Sequence, residues 1–113
     1  MEVKRQGMYH PITWEHFRGD VLAAVAVLSQ FVSSGSRVVH VSENRYDWLV
    51  TDLAILTLGA IHVPLHASLT LPQQLNQAQD ADPVCIIRSN KDGLQLPGIP
   101  CAFWLAPMPK LLA

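Results

Sequence analysis

Apolar residues along the chain recur at helical spacing in some segments and form short unbroken runs in others. From Trp14 onward they return every three or four residues, which predicts a helix. Thr13 is a suitable N-cap for it, and Gly35 stands where a helix C-terminal glycine is expected. The middle of this helix, residues 21–28, is apolar all round, so we expect it to be buried on more than one side.

Further elements alternate along the chain in the same way. Residues 1–12 predict an extended lead-in, since Pro11 disfavours helix in the residue before it. Apolar and β-branched runs predict short strands, and the periodic segments between them predict helices. The predicted strands are 37–41, 61–65 and 84–87, and the predicted helices are 46–58, ending at Gly59, and a third that Thr70 caps and that continues through Ala78.

This alternation of helix and strand predicts an α/β fold of three layers, with a short parallel sheet and helical crossovers. The strands are almost wholly apolar, as expected where helices cover both faces of a sheet. Three strands make a narrow sheet of this kind, so we expect residues 1–90 to be part of a larger α/β unit. Residues 91–113 hold four of the eight prolines and show no period, which predicts an irregular Pro-rich tail.

Composition narrows the function classes. Hydrophobic residues make up 50% of the chain and charged residues 15%, which excludes an intrinsically disordered segment. A net charge of -1 argues against a nucleic-acid or anionic-membrane partner, and the apolar run 21–28 is too short to span a bilayer. No signal-peptide pattern follows Lys4 and Arg5, so we expect a cytoplasmic protein whose Cys85 and Cys101 are reduced.

Polar residues after the first predicted strand form the first candidate site. Ser42 and Asn44 lie where open α/β sheets bind ligands, beyond the carboxyl end of a strand. The same residue types also cap helices, and capping alone explains them. Neither a GxGxxG nor a GxxxxGK[ST] phosphate loop occurs in the chain. We therefore favour a capping turn, in which Glu43, Arg45 and Asp47 form a solvated helix start.

Histidines form the second candidate site. We expect His40 and His62 to lie on neighbouring strands, with His66 in the loop that follows. Neither a carboxylate nor a cysteine accompanies them at metal-ligand spacing, so partly buried, hydrogen-bonded histidines explain them better than a zinc site. Asp47 and Asp52 are five residues apart on one helix and point to different faces, so they make no acid–base pair. We assign no catalytic, cofactor-binding or metal-binding residue to this chain.

Several stretches together resemble the early part of AMP-forming acyl-CoA synthetases, in the adenylate-forming superfamily. Residues 12–17 (ITWEHF) resemble the first characteristic block of that family, and residues 58–65 (LGAIHVPL) resemble the second. Residues 66–70 (HASLT) extend the similarity toward the long-chain fatty-acid branch, and the whole run 42–65 fits the family. The chain departs from the family pattern at Ser36, where Asp is usual, and at Tyr46, where Pro is common.

The resemblance implies a two-step reaction in a complete synthetase. ATP and a carboxylate give an acyl-adenylate and pyrophosphate, and coenzyme A then displaces AMP, with Mg²⁺ assisting. The family's phosphate loop, its adenine and ribose motifs and its catalytic lysine lie further downstream and are absent from these 113 residues. We therefore expect an N-terminal scaffold fragment of a synthetase that is inactive alone and binds no cofactor itself.

Two alternatives remain open at this stage. The first is a stand-alone, non-catalytic α/β interaction module, because the high apolar content and an open sheet call for a covering surface. Its partner would be a second copy, giving a homo-oligomer, or the remainder of the synthetase. The second is a small-molecule site at the strand ends near Ser42 and His66.

Overall fold

A computed structural model describes residues 2–5, 8–42, 45–89, 93–105 and 110–112 of the chain. Three helices alternate with most of the strands. The helices are α1 (Trp14–Leu28), α2 (Arg45–Thr57) and α3 (Leu71–Ala81), and the strands are β1 (Glu2–Arg5), β2 (Met8–Pro11), β3 (Arg37–Val41), β4 (Ile61–Pro64), β5 (Cys85–Arg88), β6 (Cys101–Leu105) and β7 (Lys110–Leu112). The predicted extended lead-in is an antiparallel hairpin of β1 and β2.

The main sheet has five strands in the order β4-β3-β5-β6-β7. Strands β4, β3, β5 and β6 run parallel, and β7 is antiparallel to β6. The α/β prediction with a parallel sheet and helical crossovers is confirmed. The sheet is wider than the three strands that the sequence predicts.

The extra width comes from the segment predicted to be irregular, and for residues 101–105 and 110–112 that prediction is wrong. The prolines flank β6 instead of interrupting it. The backbone N–H of Ile86 donates to the carbonyl of Pro100, so the proline joins the ladder as an acceptor at the point where the strand begins. The division of the chain at residue 90 stays a prediction.

Helices cover both faces of the sheet, as the apolar strands predict. Helices α1 and α2 pack together on one face, over a core that includes Leu28, Ile55 and Ile87. Helix α3 lies on the other face, where a smaller core contains Val39 and Ile86. Residues along one strand therefore alternate between the two cores, and all four residues of β5 are buried.

Helix α1 differs from its prediction at both the end and the middle. It ends at Leu28 with Ser29 as its C-cap, so the expectation that Gly35 caps it is wrong. Gly35 instead stands in the turn before β3, where its N–H donates to the carbonyl of Gly59. Only one side of the helix is buried: Leu22 is 52% exposed and Trp14 70% exposed, because α2 and the sheet contact a single face.

The turn after α2 depends on a glycine. Gly59 has a φ of +71°, a left-handed conformation that disfavours residues with a Cβ. A Cβ there would also lie 3.0 Å from Oγ of Ser34. The turn leads directly into the edge strand β4 and so sets the position of His62 in the sheet.

Candidate functional site

A cleft of about 590 Å³ lies at the carboxyl ends of β3 and β4. Ser42, which follows β3, forms one wall, and residues 64–68, which end and follow β4, form another. Trp48 from the second turn of α2 also lines it and is 36% exposed. Parallel strands place their carboxyl ends at the same edge, which is why residues more than twenty positions apart meet here. The pairing of Ser42 with the region of His66 follows the sequence prediction, and Asn44 lies outside the described residues.

The polar groups on the rim of the cleft make local contacts. Oγ of Ser68 lies 3.0 Å from Nδ1 of His66, and both residues are exposed. Within the described part of the chain, no carboxylate contacts His66, so this pair does not extend into a nucleophile–base–acid series. The described residues of the rim can offer hydrogen bonds to a ligand, but they form no nucleophile–base–acid series.

A chain of three polar side chains lies beneath Trp48 and links three elements. Nδ1 of His40 on β3 is 2.9 Å from Nε2 of His62 on β4. Nδ1 of His62 is in turn 2.8 Å from Oδ1 of Asp52 on α2. The indole of Trp48 lies over both imidazoles, with ring centroids 6.2 Å from His40 and 5.0 Å from His62. We call the series Asp52–His62–His40 the histidine chain.

The three members of the histidine chain differ in exposure. His40 is completely buried, the side chain of His62 is 8% exposed, and that of Asp52 is 26% exposed. Burial, and secondarily the neighbouring His62, lower the pKa of His40 from 6.5 to about 3. His40 is therefore neutral at physiological pH. Its Nε2 is buried with no hydrogen-bond partner.

Hydrogen positions along the chain follow from its chemistry when both imidazoles are neutral. The Asp52 carboxylate only accepts, so Nδ1 of His62 donates to it. Nε2 of His62 then accepts from Nδ1 of His40, and Nε2 of His40 carries an unused lone pair. The histidine chain thus runs from a partly exposed carboxylate to an unprotonated nitrogen, Nε2 of His40, in the core.

The interpretation of the histidines as hydrogen-bonded is confirmed for His40 and His62, of which His62 is partly buried as expected and His40 is completely buried. The structure brings these two together and leaves His66 on the cleft rim, bonded to Ser68. No group of three or more candidate ligands that could hold a metal ion occurs among the residues described.

The helix start predicted to be solvated falls only in part within the described residues, which leave out Glu43 and the side chain of Arg45. Asp47 is only 7% exposed, so that prediction is wrong for this residue. Asp47 and Asp52 do lie in different surroundings, and Asp52 bonds His62. The sequence reasoning missed this role of Asp52. The available signal is topological: the crossover helix packs beside the strand that it leads into, so a polar residue on α2 can reach β4.

A second polar contact ties α2 to β6, two strands away from β3 on the same face of the sheet. Nε1 of Trp104 on β6 donates to Oγ1 of Thr51, at 2.9 Å in the core. The two cysteines are free, and burial, together with Cys101, raises the pKa of the Cys85 thiol to about 12. Among the described helices, none combines the length and apolar character needed to cross a bilayer.

Sequence comparison relates the chain to one enzyme family and to parts of two larger synthetases. The family described as AMP-binding enzyme matches residues 3–100. The long-chain-fatty-acid–CoA ligase FadD15 of Mycobacterium tuberculosis is 38% identical over 64 residues, which are 57% of this chain and 11% of that ligase. The hybrid PKS-NRPS synthetase thnA of Trichoderma harzianum is 37% identical over 81 residues, 70% of this chain and 2% of that synthetase. The matches therefore span only about a tenth, or less, of these relatives.

Solved structures share the fold. The N-terminal subdomain of NpsA from Klebsiella oxytoca aligns with a TM-score of 0.71 at 18% identity, over 83% of this chain and 25% of that one. IdnL1 aligns with a TM-score of 0.84 at 14% identity, over 98% of this chain and 23% of that one. At these identities the similarity is one of fold alone.

Proposed function

The chain belongs to the AMP-binding enzyme family, and from that premise we propose that it is the N-terminal structural region of an acyl-CoA synthetase of the adenylate-forming type. The observation that carries this proposal is the family match over residues 3–100. The similarity to FadD15 covers only 11% of that ligase, so most of a complete enzyme would lie outside the matched region. The chain supplies part of a scaffold, and the chemistry belongs to residues elsewhere in a complete enzyme.

The positions of the two family blocks support a scaffold role. Residues 12–17 form the start of α1, where the side chain of Thr13 accepts a hydrogen bond from the N–H of His16. Residues 58–65 form the turn from α2 into β4. Both blocks begin or end regular elements, and the second block also lines the cleft with the apolar residues Pro64 and Leu65.

The proposed reaction of the complete enzyme is the activation of a carboxylate as its acyl-adenylate, with transfer to coenzyme A. ATP, Mg²⁺ and coenzyme A are then requirements of that enzyme, and this chain alone binds none of them in a productive site. The similarity to FadD15 supports a long-chain fatty acid as the substrate.

A graft into a relative tests the scaffold role. The 64 residues of FadD15 that match this chain would be replaced by the corresponding residues of the chain, and palmitate-dependent ATP–pyrophosphate exchange would be measured. We expect the graft to retain exchange and the isolated chain to show none. Unmodified FadD15 is the positive control. A folded but inactive graft would contradict the scaffold role, and exchange by the isolated chain would contradict its inactivity.

Exposed apolar residues support a second candidate function, a stand-alone module that associates with itself. Leu56 on α2 is 58% exposed and Ile61 on the edge strand β4 is 50% exposed. An edge strand with apolar neighbours can pair with another sheet edge. Sedimentation velocity across a hundredfold range of concentration should then show a dimer that Ile61→Lys dissociates, with the exposed Leu22→Lys on α1 as control. A monomer at every concentration would contradict this candidate.

A further inference from the structure

The histidine chain lies at one edge of the main sheet. His62 is on β4, which pairs with β3 on one side only. Asp52 and Trp48 are on α2, the helix that precedes this strand. The two contacts of His62 therefore join the edge strand to its neighbour and to the helix above it. Each of the two contacts depends on how many protons the imidazoles carry.

The number of protons on the two imidazoles determines which ring nitrogens donate and which accept. With both histidines neutral, His40 donates to His62, and His62 donates to Asp52, so every contact has one hydrogen. When His62 carries a proton on both ring nitrogens, its Nδ1 still donates to the carboxylate of Asp52. Nε2 of His62 then donates to Nδ1 of His40, and the remaining hydrogen of His40 moves to its partnerless Nε2.

A second proton removes the contact between the imidazoles. Every ring nitrogen of His40 and His62 then carries a hydrogen, so the two nitrogens 2.9 Å apart are both donors and face each other. Two positive charges also lie beside each other, one of them in a completely buried ring. A single carboxylate, Asp52, compensates them from the far side of His62.

We propose that the histidine chain is a proton-operated latch, which holds β4 and the Trp48 end of α2 against β3 and opens when both imidazoles are protonated. Opening frees His62 and its strand from His40. It also moves Trp48, which covers both rings and lines the cleft. Acid therefore changes the shape of the cleft at the carboxyl ends of β3 and β4.

Other charged groups near the latch do not change the number of hydrogens on the ring nitrogens of His40 and His62. On α2, Asp47 is buried one turn before Thr51 and has its own interaction. On β5, Arg88 belongs to the opposite face, because it pairs with Val41, the residue after His40. His62 is the charged neighbour that, after burial, lowers the pKa of His40. Only Asp52 contacts the imidazole pair through a described hydrogen bond.

The test uses the 113-residue chain and nuclear magnetic resonance between pH 8 and pH 2.5. Nitrogen-15 spectra of the histidine rings report the tautomer and the protonation of each imidazole. Amide exchange, corrected for its intrinsic pH dependence, reports opening at Leu65, whose N–H donates to the carbonyl of His40, and at Ile86, which lies inside the sheet. We expect His40 to carry its hydrogen on Nδ1 at pH 8. As His40 protonates, exchange should rise at least tenfold at Leu65 before it rises at Ile86.

Variants identify the groups responsible. His40→Asn keeps a donor near the position of Nδ1 but cannot be protonated, so the acid-induced rise at Leu65 should disappear. His16→Asn and His66→Asn change exposed histidines outside the latch and should leave the rise intact.

Three results would overturn the latch. In the first, His40 protonates together with the exposed histidines without any change at Leu65. In the second, Leu65 and Ile86 begin to exchange at the same pH, which indicates global unfolding. In the third, folded His40→Asn retains the rise. Should His40→Asn fail to fold, the ring spectra and the exchange of the unmodified chain still decide the question.

Discussion

Helices α2 and α3 perform the same task in the topology, yet different contacts hold them. Each connects one parallel strand to the next, α2 from β3 to β4 and α3 from β4 to β5. Helix α3 begins with a complete capping box, in which Thr70 and Gln73 bond each other's backbone. Helix α2 makes side-chain hydrogen bonds to residues 10 and 53 positions away, at His62 and Trp104.

This difference distinguishes contacts between residues close in sequence from contacts between residues far apart in sequence. The start of α3 depends on residues within four positions, so the sequence displays it directly. The polar contacts of α2 exist only after β4 and β6 have joined the sheet. We therefore expect changes in α2 to affect the whole fold, and changes at the start of α3 to have smaller effects.

Truncating the core side of α2 should have the largest effect. Ile55 is completely buried between α2 and the sheet, so Ile55→Ala leaves a cavity and should lower the free energy of unfolding by about 2–5 kcal/mol. Urea denaturation measures the loss. Leu56→Ala is the matched control, since Leu56 is 58% exposed and its truncation should change stability by less than about 0.5 kcal/mol. Equal losses would show that α2 is not packed as described.

Acid should destabilise the chain through His40. The folded state holds the pKa of His40 at about 3, below the unfolded value of 6.5. Between these two pH values the unfolded state therefore binds a proton that the folded state does not bind. The stability contributed by neutral His40 is complete above pH 6.5 and is lost as the pH falls toward 3. Between pH 6.5 and pH 4 the loss should approach about 3 kcal/mol.

Urea denaturation at pH 7.5, 5.5 and 4 measures this dependence. His40→Asn should flatten it, because asparagine does not bind a proton in this range. The matched variant His66→Asn, at an exposed site, should retain the wild-type slope. A slope that His40→Asn leaves unchanged would assign the acid sensitivity to other groups.

Removing the hydroxyl of Thr51 should have a smaller effect. Thr51→Val keeps the shape of the side chain but leaves Nε1 of Trp104 buried without its acceptor, which should cost about 1–3 kcal/mol. Thr57→Val on the same helix is the control, because its hydroxyl bonds the carbonyl of Leu53 at an exposed position. Thermal unfolding of both variants tests the prediction, and similar losses in the two would count against a special role for Thr51.

Changing the cap of α3 should have the smallest effect of the four. Thr70→Ala removes the acceptor for the N–H of Gln73 and should cost about 1 kcal/mol. Thr70→Ser keeps the hydroxyl and should recover most of that loss. A loss at Thr70→Ala that exceeds the loss at Ile55→Ala would reverse the contrast between the two helices.

The limits of sequence-based prediction follow the same contrast. The spacing of apolar residues located α1, α2 and α3 to within a few residues, apart from the C-terminal end of α1, and Thr13 and Thr70 were identified as caps from residue type alone. Strand β6 was missed because nearby prolines suggested irregular structure, although they stand outside the strand. At the candidate site, the closeness of His40 and His62 followed from strand order, whereas the contact of Asp52 with His62 did not.

The sequence alone determined the alternation of elements, the covering of both sheet faces and the resemblance to a family, because each depends on residue type and on spacing along the chain. Tertiary structure decided which polar groups meet in the core, and it left Nε2 of His40 buried without a hydrogen-bond partner. The physical reason is that a hydrogen bond needs an alignment within tenths of an ångström. Periodicity places a residue on a face of a helix or a sheet, but only the packing of α2 over β3 and β4 brings Asp52, His62 and His40 to hydrogen-bonding distance.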